Sequence, residues 1–380
     1  MPDRSVSADA IVIGAGIAGA SVAAGLSRTM QTVLVEMEAQ PGYHTTGRSA
    51  AVFAPSYGPQ SVRALTRASR SFFGAPPDGF TDNPLLTPRE ILMLAREDQL
   101  EALDRLIDTA SSETRVERLV PEALRALQPL VRAGYAAAGM LDKDGQDIDV
   151  AALHQGFLRV FKARGGQLLN NAPVQALERI GNDWEIQTKI GTLTAPLVIN
   201  AAGAWAEEIG QLAGAERIGL IPKQRTAMVV AEPEGFTRRD APITIDIEEQ
   251  FYLKPDAGRL LISPADETPT VPCDAQPEEI DVAICADRIM TAFDLDIRRI
   301  DNKWAGLRSF VSDKEPVIGY SKVAPGFFWM AGQGGYGIQS APAAAELATA
   351  LVQGTTLPTH ILDQGLDPLC IKPDRMAYSA

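Results

Sequence analysis

The sequence predicts an α/β protein in which a Rossmann-like βαβ domain is joined to a second domain with a mixed or antiparallel β-sheet. Three observations predict it. An apolar strand over residues 11–13 runs into Gly14, Gly16 and Gly19 at GxGxxG spacing and then into a helix of small residues. The same order of strand, glycine turn and helix returns at residues 197–205 and 327–338. Between these two returns, residues 219–263 read as a run of short strands, the last two joined by Asp256-Ala257-Gly258 as a hairpin turn, which predicts an antiparallel sheet.

Each glycine of the first motif has its own task. Gly14 permits a tight turn, Gly16 leaves room for a pyrophosphate, and Gly19 lets the helix press against the strand. Ile17 and Ala18 open that helix, whose N-terminus offers unpaired N–H groups and a positive dipole end to phosphates. A second strand, residues 32–35, ends in Glu36, an acid about 20 residues past the glycines and placed to accept ribose hydroxyls. That completes a dinucleotide site. A secretory signal peptide would need an unbroken apolar stretch here, and the three glycines interrupt it.

A chain of 380 residues exceeds the usual size of one core, so two domains are expected. A net charge of −13 argues against nucleic acid and anionic membrane surfaces as partners. Cys273, Cys285 and Cys370 are widely spaced, as are His44, His154 and His360, which points to neither a disulfide framework nor a metal centre. Reduced thiols and the lack of any unbroken apolar stretch of membrane-spanning length suggest a cytoplasmic protein without a transmembrane segment.

In chain order, residues 37–48 form a Gly-, Pro- and Thr-rich loop that returns toward the phosphates, and residues 60–73 read as a helix. Pro76, Pro77 and Pro84 then break the pattern. A strand follows at 91–95, with helices at 97–109 and 121–127. The chain returns near Gly145 with a helix at 150–163 and strands at 174–177, 184–188, 193–195 and 197–200. After the alternating strands at 225–231, 243–247, 251–254 and 260–263 come a helix at 278–293, a strand at 300–310 and a strand at 327–331 leading to a helix at 338–352. Residues 1–82, 145–218 and 315–380 are therefore expected to build a discontinuous cofactor domain. Residues 83–144 and 219–314 are expected to build the substrate domain.

The GAGIAG start, Glu36, the segment Asn200-Ala201-Ala202-Gly203-Ala204-Trp205 and the late loop Gln333-Gly334-Gly335-Tyr336-Gly337 resemble the D-amino-acid oxidase superfamily of FAD-dependent oxidoreductases. Within it the chain most resembles the bacterial D-arginine dehydrogenases, through residues 42–51, 251–258 and 304–310. The resemblance implies a flavin between the two domains, with Gly14, Gly16, Gly19 and Glu36 on the adenosine and pyrophosphate. Thr46, Arg48, Ser49, Ala50 and Ala51 would line the flavin and phosphate region with Gly203 and Gly306. Val174 would meet the adenine, and Gly334, Gly335, Tyr336, Gly337 and Ile338 would border the flavin ring. Relatives that attach flavin covalently use a cysteine near residues 303–312, where this sequence has none, so FAD is expected to be non-covalent.

Flavin oxidation of an amino acid moves a hydride from Cα to N5 of the ring, and the protein supplies position. Arg225, Tyr252 and Arg308 match the family's carboxylate-binding positions, and a guanidinium suits a carboxylate because it gives two parallel hydrogen bonds. By the same resemblance the carbonyl of Gly335 orients the amine and Tyr57 closes the pocket. Where arginine-specific relatives carry a histidine and a glutamate, this chain has Val52 and Ile91, with Glu90 as an alternative acid if the strand register differs. Aliphatic walls leave a guanidinium unpaired. The expected substrate is therefore a D-amino acid with an apolar or neutral side chain, oxidised to an imino acid that hydrolyses to a 2-oxo acid and ammonia. An N-substituted glycine, a 2-hydroxy acid and a flavoprotein subunit without turnover are alternatives. The electron acceptor, oxygen or a quinone-like carrier, is left open.

Overall fold

The computed structural model describes residues 5–376. Its first layer is a six-stranded sheet ordered Gln167–Leu169, Thr32–Val35, Ala10–Ile13, Leu197–Asn200, Phe327–Ala331, Val317–Tyr320, parallel except for the last pair. Ala10–Ile13 and Thr32–Val35 are buried along their whole length, as strands covered on both faces must be. The helix Ile17–Leu26 packs between the helices Gly337–Gln353 and Val150–Ala163. Its small residues make that possible: a Cβ on Gly25 would stand 2.3 Å from the Thr349 hydroxyl. A separate four-stranded sheet joins Ser5–Ser7 to the strands Val174–Ile180, Asp183–Thr188 and Gly191–Ala195.

The second layer is an eight-stranded sheet ordered Asn302–Phe310, Ile221–Ala231, Arg259–Ser263, Tyr252–Asp256, Ile243–Asp246, Ile91–Ala95, Ala138–Asp142, Val116–Leu119. It is mixed, since Ile243–Asp246 runs parallel to Ile91–Ala95 while every other neighbouring pair is antiparallel. The strands Val116–Leu119 and Ala138–Asp142 had no period-two signal strong enough to predict them. They give the first excursion of the chain a place in the same sheet as the second. The turn Asp256-Ala257-Gly258 is the expected hairpin, with φ of +47° at Ala257 and +75° at Gly258.

Period two sorts this sheet's faces. Leu92, Leu94, Met228, Val230, Leu253 and Ile262 pack under the helix Glu279–Ala292 with Ile289 and Phe293. Ile91, Met93, Arg225 and Tyr252 point to the opposite face, toward the first layer. A small three-stranded sheet, with Val52–Phe53 and Leu86–Pro88 on either side of Gln146–Ile148, closes the gap between layers and pairs Val52 with Asp147. No described helix is long and apolar enough to cross a membrane.

Candidate active site

Two adjoining cavities lie between the layers. The larger, about 450 Å³, runs from Glu36 and Val174 past the glycine turn to Arg225, Tyr252 and Arg308. The smaller, about 80 Å³, shares Ser49, Ala50, Arg225, Tyr252, Arg308, Gly335 and Ile338 with it.

At the first end, the glycines are required by space and by backbone. Gly14 has φ of +97°, and a Cβ on it would sit 2.5 Å from the Ala201 carbonyl. A Cβ on Gly19 would fall 1.8 Å from the Gly14 carbonyl, so Gly19 is a packing residue and does not line the cavity. Gly16, Ile17 and Ala18 do line it. Glu36 has one oxygen on the Ala15 N–H (2.8 Å) and the other on the Glu38 N–H (3.0 Å), so it also braces the glycine turn. Each oxygen keeps a second lone pair for a hydroxyl donor. Burial raises the pKa of Glu36 despite those two N–H groups.

The loop after Glu36 is more structural than its composition suggests. The Thr46 hydroxyl accepts from the Ile17 N–H (3.0 Å), capping the helix from outside. Arg48, expected to offer a cation to phosphate, borders the large cavity but spends its guanidinium on the carbonyls of Ala275 and Ala305 (2.8 Å each) and on Asp274. It fastens the loop to the strand Asn302–Phe310, because three good acceptors converge on its donors. His44 Nε2 donates to the Glu38 carboxylate at 2.9 Å, and the ring packs tilted at 49° against Trp205.

His154 lies beneath this loop, with Nε2 2.9 Å from the Ala15 carbonyl. Burial lowers its pKa from 6.5. Its folded form is therefore neutral, and the stability it contributes is full above about pH 6.5 and lost as pH falls through the lower folded value. His154→Gln, which keeps a donor for Ala15, is expected to lose less thermal stability than the wild type between about pH 7.5 and pH 5. Equal losses in differential scanning calorimetry would exclude His154 as a contributor.

At the ring end, Ser49, Ala50, Gly203, Gly306, Gly334, Gly335, Gly337 and Ile338 line the large cavity, and Ala51 lines the small one. Gly334 has φ of +54°, and its Cβ would strike the Phe310 ring at 2.2 Å. Tyr336, expected beside the flavin, borders neither cavity. Its ring turns into a cluster with Tyr57 and Phe310 because apolar area is available there.

Arg308 reaches both cavities, and among the described residues no hydrogen bond or ion pair meets its guanidinium. Burial lowers its pKa, yet Tyr252, Tyr57, Tyr336 and Glu249 more than reverse this, so it is raised overall. Arg225 holds Glu267 loosely at 3.3 Å, and among the described residues its buried Nε has no partner. Burial first, then Arg308, lowers the pKa of Arg225, although a guanidinium stays charged at any working pH. Arg225 and Arg308 both border the two cavities and repel one another, Arg225 being the one paired with an acid.

Val52 and Ile91 line the small cavity with Met93, Ile243 and Ile245. Glu90 is not among its lining residues, since the register that pairs Ile91 with Ile243 and Asp142 puts Ile91 there. The Tyr57 hydroxyl donates to Glu249 Oε2 at 2.6 Å, and burial, then Glu249, hold its pKa well above 10, so it stays a donor. Glu249, Gln339 and Glu267 escaped sequence reading. An acid in a polar run such as Glu248-Glu249-Gln250 carries the pattern of a solvated turn.

The donor set fits FAD: a glycine cradle at a helix N-terminus, an acid at one end, and small residues facing an arginine pair at the other. Over 368 residues the chain is 24% identical to glycine oxidase of Bacillus licheniformis, covering 93% of this chain and 95% of that protein. A 148-residue stretch is 30% identical to human mitochondrial dimethylglycine dehydrogenase, covering 38% of this chain and only 17% of that longer protein. In fold it matches the crystal structure of glycine oxidase from Geobacillus kaustophilus, with a TM-score of 0.82 at 20% identity over 92% of this chain and 96% of the other. It also matches L-α-glycerophosphate oxidase from Mycoplasma pneumoniae with FAD bound, at 0.81 and 17% over 91% and 95%. Three of these four likenesses lie with enzymes named for glycine or dimethylglycine, and none with a D-arginine dehydrogenase, which corrects the expected nearness to those enzymes. The family model described as FAD dependent oxidoreductase matches residues 9–351, and the chain belongs to this D-amino-acid oxidase (DAO) family.

Proposed function

We propose that this chain oxidises a small α-amino acid with FAD as its cofactor, and that the substrate is glycine carrying an N-methyl or similar small N-substituent. The observation that carries the reading is Arg308, a cation that among the described residues has no hydrogen-bond or ion-pair partner, where the two cavities meet with Arg225 and Tyr252. Bound FAD supplies a two-electron acceptor for oxidation of the carbon–nitrogen bond. Arg308 and Arg225 hold the carboxylate, Tyr252 adds a phenolic donor, and the Gly335 carbonyl receives the amine hydrogen. The aliphatic wall of Val52, Ile91, Met93, Ile243 and Ile245 takes the N-methyl group and keeps water from the reacting centre. Relatives named for glycine and dimethylglycine support this over a D-amino acid, and so does the size of the small cavity.

The experiment is anaerobic titration of the holoprotein with sarcosine, dimethylglycine, glycine, D-leucine, D-arginine and glycolate, following loss of oxidised-flavin absorbance. Sarcosine is expected to reduce the flavin fastest. Reduction by glycolate alone, or by nothing, overturns the reading.

The same wall favours a second reading, a D-amino acid with an apolar side chain. On that reading Ile91→Glu raises kcat/KM for D-arginine relative to D-leucine by about tenfold or more, since the guanidinium gains a partner. An unchanged ratio in steady-state assays removes Ile91 from the side-chain pocket.

A further inference from the structure

We propose that Glu249 binds the substrate's cationic amine and so selects amino acids over amine-free acids such as 2-hydroxy acids. The inference rests on the substrate reading above and deepens it. Glu249 is the one carboxylate among the residues lining the small cavity, which Arg225 and Arg308 also border. Its charge acts on both arginines across that space. Among the described residues no lysine or arginine is ion-paired with it. Tyr57 occupies Oε2, leaving Oε1 for another donor.

The backbone is built to put it there. Glu249 has φ of +57°, a region that disfavours any residue with a Cβ, and its N–H donates to the Asp246 carbonyl at 2.8 Å. The fully buried Asp246 carboxylate accepts from the N–H groups of Glu248 (3.0 Å) and Gln250 (3.3 Å), from Gln99 and from Arg96, which locks the turn. A non-glycine residue persists in such a conformation only where the surrounding network fixes it.

The small cavity is thus two-ended, cationic at Arg308 and Arg225 and anionic at Glu249. A zwitterion satisfies both ends. A simple carboxylate meets attraction at one end and repulsion at the other, which is how charge placement produces specificity.

The test uses the holoprotein and a matched pair of ligands, 2-aminoisobutyrate, which has no Cα hydrogen to lose, and its amine-free twin isobutyrate. Each is titrated by perturbation of the flavin spectrum. The wild type is expected to bind 2-aminoisobutyrate more tightly, and Glu249→Gln to shift the ratio of the two Kd values toward isobutyrate by at least about tenfold. Glu249→Asn, better suited to the left-handed backbone, should shift it the same way. Tyr57→Phe, which removes the hydrogen bond and keeps the charge, should leave the preference for the amine in place. A ratio unmoved in both Glu249 variants overturns the proposal, as does an equal shift in Tyr57→Phe, which would reduce Glu249 to a prop for Tyr57. Failure of the substrate reading shows elsewhere, as absence of flavin reduction by amino acids while the ligand preference still shifts.

Discussion

Arg308→Met is expected to leave FAD bound while removing most of the affinity for any carboxylate substrate. Arg308 stands where both cavities meet, and among the described residues no hydrogen bond or ion pair meets its guanidinium. Its interaction energy is therefore reserved for a ligand. Losing one buried charge-assisted pair costs about 2–5 kcal/mol, or roughly 30-fold to several thousand-fold in kcat/KM. Methionine fills much of the same space without the charge, so packing against Gly335, whose Cα region lies directly on the guanidinium, should survive. The readouts are kcat/KM and the flavin-to-protein ratio. A variant with near-normal kcat/KM would show that Arg225 alone anchors the carboxylate. One that loses flavin would show that the residue belongs to the cofactor site instead.

Gly19→Val is expected to yield protein without flavin. The added Cβ falls 1.8 Å from the Gly14 carbonyl, far inside contact distance, so the helix Ile17–Leu26 must move away from the strand Ala10–Ile13. That movement carries off the helix N-terminus and the Gly14 and Gly16 backbone that border the large cavity. Overpacking of this kind costs about 1–3 kcal/mol or more in stability, and the damage to the phosphate cradle is greater than to the core because the cradle has no slack. Wild-type protein should be yellow and release FAD into the supernatant on acid precipitation. The variant should purify colourless, with circular dichroism reporting whether the sheets persist. Full flavin content in Gly19→Val would show that the glycine is not required for the close helix contact, and flavin retained in the acid pellet of the wild type would contradict non-covalent attachment.

Much of the cofactor half was legible because its determinants are local. Gly14, Gly16, Gly19 and Glu36 lie within one βαβ unit, and turn geometry alone constrains what each can be. The substrate half was legible mainly through resemblance. Arg225, Tyr252 and Arg308 come from three strands, and no spacing along the chain indicates that they meet. Arg48 lines the large cavity as expected but spends its guanidinium on acceptors there, and Tyr336, placed beside the flavin by resemblance, turns away from it; those acceptors and the aromatic cluster around Tyr336 exist only once distant segments pack.

By itself the sequence determined the parallel sheet, its glycine turns, the hairpin at Ala257-Gly258 and the dinucleotide cradle, since hydrophobic period and backbone sterics act over a few residues. Tertiary structure alone decided that residues 116–142 add two strands to the second sheet and that the register admits Ile91 and not Glu90 to the pocket. It also decided that Glu249 faces two arginines across a small cavity. Charge and burial at those positions depend on neighbours supplied by remote parts of the chain, and no local property of the chain encodes them.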